Sequence, residues 1–202
     1  MTGDHMPTTS LTPSLPSSTT WYLLLVGLVV AERLAELVTA RRHAAWSLAR
    51  GGREHGRGHY PAMVALHTAL LVGCVVEPLF LDRPFLPAVG WPALALALAA
   101  QGLRWWCIAS LGPRWNTRVI VVPGLPLVER GPYRLLRHPN YVAVVVEGAA
   151  LPLVHSAWVT ALGFTALNLV LLRVRIDCEE AALTETGRLR AAASAPGAGA
   201  AR

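Results

Sequence analysis

The chain has 202 residues, of which 53% are apolar and only 15% charged. That charged share is well below the ~25% usual for soluble domains, and the apolar residues come in long blocks, which excludes whole-chain disorder and argues against a soluble globule. Cys74, Cys107 and Cys178 are scattered without paired spacing, so no disulfide scaffold is expected. The formal net charge is +6, and all eighteen basic residues are arginine. They sit in short stretches between apolar blocks rather than on one solvated face, so they read as a topology signal and no nucleic-acid partner is expected.

In chain order, residues 1–20 form a Ser/Thr/Pro-rich lead without Lys or Arg, expected to be disordered and lacking the positive start of a secretory signal. Apolar blocks follow at about 21–40, 61–80, 86–111, 141–154 and 157–172. The first three approach or exceed the ~20 residues a spanning helix needs; the last two are marginal and read as a tight hairpin. The expected fold is therefore an all-α integral membrane protein of about five transmembrane helices, occupying residues 21–183. The basic stretches at 41–60 and 112–139 and after 172 then share one face, which the positive-inside rule places in the cytoplasm. This puts the protein in the cell membrane with its amino terminus outside and its carboxyl terminus inside. Residues 184–202 read as a low-complexity tail.

Ionisable residues within apolar blocks are costly and mark candidate sites. They are Glu32, Arg33 and Glu36, then His67 and Glu77, then Arg104, and finally Glu147. The first group is expected to pair with arginines on other helices or to sit near a wet end, and His67 to make an interhelical hydrogen bond. Glu54, His55 and His59 lie close together in a Gly/Arg loop without metal-ligand spacing, and no metal is expected.

The most informative stretch is the second basic loop: Arg114-Trp-Asn-Thr-Arg118, then Pro123 to Tyr133, then Arg137-His-Pro-Asn-Tyr141. Its prolines fix chain direction and its glycines permit close approach of a ligand. Pro139 suits the first turn of the fourth helix, leaving Asn140 and Tyr141 at that helix's electropositive end. Arg175 and Glu179, four apart, fall on one face of a helix that continues beyond the fifth block.

Gly131-Pro-Tyr-x3-Arg-His-Pro-Asn-Tyr141, a hairpin, and Arg175-x3-Glu179-Glu180 together resemble the isoprenylcysteine carboxyl methyltransferase family. The resemblance covers residues 112–183 well and the rest of the membrane region more loosely. It implies that S-adenosylmethionine binds at the cytosolic membrane face. By position, the backbone of Leu125, Pro126, Leu127 and Val128 would line the cofactor, with Tyr133 packed beside it. His138, Pro139, Asn140 and Tyr141 would hold it, Glu179 would hydrogen-bond it, and Arg175 would face the acceptor. Beyond the paired glutamates the chain lacks the Tyr- and Pro-containing ending of members that act on prenylated proteins. The 114–118 segment and Gly56-Arg-Gly-His-Tyr60-Pro instead resemble a bacterial branch that O-methylates long-chain alkylpyrones and alkylresorcinols. That branch implies a type III polyketide synthase as metabolic partner.

The chemistry also fits the residues themselves. Methyl transfer from a sulfonium needs mainly a dry, aligned pair of reactants. A carboxylate acceptor needs an orienting cation, which Arg175 supplies; a hydroxyl acceptor also benefits from a base. Glu147, seven residues beyond Asn140 on the same helix face, is a candidate base or else a partner of Arg104. The acceptor is expected to be a lipophilic small molecule arriving from the membrane lipids. An NADPH-dependent membrane reductase of the steroid type and a non-enzymatic scaffold or transporter are the competing readings. A soluble nucleotide-fold methyltransferase is excluded, because no Gly-x-Gly follows a strand pattern.

Overall fold

A computed structural model describes residues 17–194, with side chains through residue 185. Five helices occur in the order expected: α1 (Ser18–Leu48), α2 (Tyr60–Phe80), α3 (Pro87–Leu111), α4 (Pro139–Leu153) and α5 (Trp158–Ser194). Their starts are written locally. The Ser17 hydroxyl accepts the Thr20 N–H ahead of α1, and prolines open α2, α3 and α4, where a missing N–H costs nothing.

The protein is an all-α membrane protein. Three helices are long and apolar enough to cross a membrane: Tyr60–Phe80, Pro87–Arg114 and Trp158–Glu185. The 15 residues of α4 reach only about 22 Å at the usual rise, short of a ~30 Å hydrocarbon core. Two helices outrun their apolar blocks. α1 continues through Arg41 and Arg42 to Leu48, and α5 continues through the charged segment to Ser194, into the stretch read from sequence as tail. The remaining parts of the expected lead and tail, 1–16 and 195–202, lie outside the described residues.

One element departs from the sequence reading. The two basic loops are joined by a short antiparallel pair, β1 (Arg53–His55) with β2 (Val119–Val121), in register Glu54 to Ile120. Three residues carry too little alternation to stand out in a loop. The pairing ties the two basic connections to each other.

The closest helix packing is α3 against α4. The buried residues of α3 include Gly90, Ala93, Ala97, Ala100, Arg104 and Cys107, one stripe at helical spacing. Ala143, Gly148 and Ala150 of α4 are buried. Small residues let backbones approach where lipid removes the ordinary hydrophobic drive between helices. Gly148 has no room for a Cβ, because the Phe164 ring of α5 occupies that place.

Glu77, an in-span carboxylate that the sequence offered as a candidate site, is a helix cap. It accepts the N–H groups of Val159 (3.1 Å) and Thr160 (2.7 Å) and the Thr160 hydroxyl (2.8 Å), and pairs with Arg83 at 3.0 Å. The first N–H groups of a helix have no partner inside it, so this carboxylate satisfies the start of α5 from α2. Glu77→Ala should therefore lower stability by about 2–3 kcal/mol in detergent unfolding, since several donors lose a charged acceptor together; a change under ~0.5 kcal/mol would contradict the cap. Gly148→Ala should cost about 1–3 kcal/mol, with most of it recovered in the double variant carrying Phe164→Leu.

Candidate active site

The loop between α3 and α4 is held down by its own arginines. Arg114 Nη1 donates to the Pro126 carbonyl at 2.6 Å, and Arg130 Nε donates to the Ser110 carbonyl at the end of α3 (2.9 Å). Gly131 follows with φ +60°, a left-handed conformation in which a Cβ would also run into the Ser110 hydroxyl. The loop thus folds back over α3 and turns into α4, with Pro139 fully buried at the helix start.

Between this loop, the first turn of α4 and the stretch of α5 from Arg175 to Thr184 lies a cavity of about 600 Å³. Its size falls within the range of small-molecule and cofactor sites. The walls contain Leu125 to Val128, Tyr133, His138, Asn140, Tyr141, Arg175 and Glu179, so every residue that the family resemblance assigns to cofactor or acceptor, except Pro139, lines it. Pro139 stands behind the wall and fixes where the helix begins. The rings of His138 and Tyr141 stack at 5.3 Å, nearly parallel. Burial pushes the Tyr133 phenol well above its usual range, so it stays a neutral donor.

Tyr141 links the two helices. Its hydroxyl donates to Glu179 and accepts from Arg175 Nε at 2.9 Å. The expected shared face of Arg175 and Glu179 is therefore present, with a tyrosine from α4 inserted between their polar ends. Glu180 faces His138 at 3.5 Å and Arg137 at 3.8 Å.

A second cavity, about 270 Å³, lies among the helices and is lined largely by apolar side chains such as Val29, Val30, Leu71, Leu151 and Phe164. Trp115, Asn116, Asn140, Tyr141 and Arg175 border both cavities. Three of these five present buried polar atoms without a hydrogen-bond partner: Trp115 Nε1, Asn116 Nδ2 and Asn140 Oδ1. Such atoms are costly unless a ligand engages them. Hence a polar partition, incompletely satisfied by the protein itself, divides a loop-covered chamber from an apolar one. The residues fit a bound cofactor on the loop side: backbone along 125–128, aromatic faces, a carboxylate, and an unpartnered amide at a helix start.

Glu147 borders the second cavity, not the first. Arg33 donates to one of its oxygens at 2.8 Å and Arg104 to the other at 2.5 Å, and Arg33 also pairs with Glu36. Of the α1 group, Glu36 lies 3.9 Å from Arg104 of another helix, as expected, whereas Glu32 bonds Gln101 and Trp105 instead; the alternative reading of Glu147 as partner of Arg104 is present. His67 differs from expectation. Its ring nitrogen Nδ1 bonds the Met63 carbonyl of its own helix (2.8 Å), not a neighbouring helix.

The sequence reading did not single out Trp115 and Asn116 as site residues. The motif Arg114-Trp-Asn-Thr-Arg118 was the available signal, but nothing in it showed that the loop turns those side chains toward both cavities. Arg118 was likewise uncommitted; it lies over the Tyr60 ring at 5.1 Å and pairs with Glu54 at 3.4 Å.

Comparison with known proteins bears on the family of the chain. Residues 93–185 match the isoprenylcysteine carboxyl methyltransferase (ICMT) family, a span that contains most of α3, the loop, α4 and α5 through residue 185. The uncharacterized protein YpbQ of Bacillus subtilis is 37% identical over 165 residues, covering 81% of this chain and 97% of that protein. An uncharacterized protein of Haemophilus influenzae is 25% identical over 157 residues, covering 77% and 91%. No solved structure matches. The order of the motifs, the cavity they enclose and the matched profile lead to one assignment: the chain belongs to the isoprenylcysteine carboxyl methyltransferase family of membrane methyltransferases.

Proposed function

We propose that the protein transfers a methyl group from S-adenosylmethionine, bound in the cytosolic cavity, to a lipophilic acceptor held in the cavity among the helices. The observation that carries this reading is the partition shared by the two cavities, with Arg175, Tyr141 and Asn140 bordering both. In this reading all five helices traverse the bilayer, α4 as the short arm of a hairpin with α5. The basic connections face the cytoplasm and the amino terminus faces outward.

The cofactor would be held by the backbone of Leu125 to Val128, by Tyr133, His138, Asn140 and Tyr141, and by the Glu179 carboxylate. When bound it supplies a methyl group on a positively charged sulfur, open to in-line displacement. The protein's part is placement and exclusion of water. Tyr141 fixes Glu179 and Arg175 relative to each other. Arg175 Nη1 meanwhile rests against Met63 Sδ at 2.8 Å, which directs the guanidinium toward the acceptor cavity. A guanidinium there orients an acceptor oxygen and favours its anionic form.

The acceptor we favour is the hydroxyl of a long-chain alkylpyrone or alkylresorcinol. An apolar chamber whose polar groups gather at one end suits a hydroxylated ring with an alkyl chain. An isoprenylcysteine-type carboxylate is the other acceptor the same wall would orient. A type III polyketide synthase then stands upstream as the source of the favoured acceptor.

In nanodiscs the protein should bind S-adenosylmethionine, and Asn140→Ala and Glu179→Ala should each weaken that binding about 10- to 100-fold, as expected for loss of one buried or charge-assisted hydrogen bond. Isothermal titration reads this directly. Binding of NADPH in place of the methyl donor would contradict the reading. Tyr141→Phe should leave the fold intact and reduce methyl transfer about 10-fold or more by releasing Arg175 and Glu179.

A further inference from the structure

The reaction proposed above needs a proton acceptor if the nucleophile is a hydroxyl, and the carboxylate nearest the acceptor cavity is poorly placed for that task. Both oxygens of Glu147 are engaged, one by Arg33 and one by Arg104. Glu36 borders the same cavity, but it sits between two guanidinium groups, with Oε2 held by Arg33 and Oε1 3.9 Å from Arg104 Nε. A different group on the cavity wall has an uncommitted lone pair.

That group is His67. A carbonyl oxygen can only accept, so the 2.8 Å contact with Met63 requires Nδ1 to carry the proton. In the neutral ring this fixes the tautomer and leaves Nε2 as an acceptor. Nε2 has no hydrogen-bond partner among the described residues, and His67 lines the acceptor cavity. The Phe164 ring meets the imidazole edge-on at 5.2 Å and fixes its plane. Across the cavity wall, Asn168 of α5 is buried and its Nδ2 is likewise without a partner. An unpaired acceptor and an unpaired donor thus border one small apolar chamber.

His67 is also tied to the transfer point. Met63 receives Arg175 on its sulfur and His67 on its carbonyl, so one residue holds both the guanidinium at the partition and the imidazole one helical turn deeper. The charged groups that act on His67 are Arg33 of α1, Arg104 of α3 and Glu147 of α4. Arg175 of α5 borders the same cavity.

Building on the proposed methyl transfer, we propose that His67 is a catalytic residue whose Nε2 takes the proton of the acceptor hydroxyl, with Asn168 donating to an acceptor oxygen. The O–H bond breaks, its electron pair stays on oxygen and its proton moves to Nε2. The oxygen then forms the O–CH3 bond as the S–CH3 bond breaks, and that bond's pair remains on sulfur as a neutral thioether. The imidazolium returns its proton to water after the methylated product leaves.

The test uses a dodecyl nitrophenol as acceptor probe, because its phenolate is visible by absorbance without any methyl donor. In nanodiscs buffered below the probe's free pKa, binding to wild type should raise the phenolate band. Nitrogen NMR of labelled wild-type protein should show one histidine becoming imidazolium at the same time. His67→Gln and His67→Phe should bind the probe with affinity within about threefold of wild type and lose the band. Their methylation of a pentadecyl resorcinol should fall about 100-fold or more, the usual span for loss of a general base. Unchanged binding of S-adenosylmethionine would report that they are folded. A phenolate band that persists in both variants, or absence of the imidazolium signal in wild type, would overturn the role of His67 while leaving the methyltransferase reading in place. Failure of wild type to bind the probe would overturn both.

Discussion

The Tyr141 hydroxyl, donating to Glu179 and accepting from Arg175, is the contact on which the arrangement of this site depends. It joins the start of α4 to the second half of α5 and sets two opposite charges at a fixed separation on one helix. It also stands in the partition between the loop-covered chamber and an apolar one among the helices. Neither α4 nor α5 makes the partition alone. Pro139 decides where α4 begins, and thereby the rotation at which Asn140 and Tyr141 meet α5. The latches from Arg114 and Arg130 bring the 112–138 loop over the same point.

Charges inside the helix bundle are handled by mutual pairing. Arg33, Glu36, Arg104 and Glu147 lie on three helices and neutralise one another beside the apolar chamber. Isolated, any of them would be expensive at this depth; together they form a polar floor that leaves lipid-facing surfaces apolar. The grouping also explains why α1 tolerates Arg33 and Glu36 in its middle. Glu77 shows the same economy at the opposite end, where a carboxylate of α2 completes the first turn of α5.

Much of this was legible in the sequence, for physical reasons. Long apolar blocks and the one-sided distribution of arginines gave the helices and their order. The His138-Pro139-Asn140-Tyr141 run announced a helix start with polar groups at its electropositive end, and Arg175 with Glu179 announced a shared face. Three features were not legible. The β1–β2 pair is too short for a periodic signal, and its residues come from loops some sixty-five positions apart. The extension of α5 to Ser194 was hidden because a helix leaving the membrane loses its apolar pattern while keeping its backbone geometry. The direction of Trp115 and Asn116 depends on how the loop folds back, which spacing does not encode. For Glu147 and His67 only the residue types are legible in the chain; the distinction between an engaged carboxylate and an open imidazole nitrogen is purely three-dimensional.

The central claim is that a methyl group passes from the cytosolic chamber, across the Tyr141–Arg175 partition, to an acceptor that arrives from the bilayer. The most direct measurement is transfer of tritiated methyl from S-adenosylmethionine by the protein in nanodiscs, offered a long-chain resorcinol and its short-chain, water-soluble counterpart side by side. The account predicts label on the long-chain acceptor and little on the soluble one. Label on neither, or equal label on both, would contradict it.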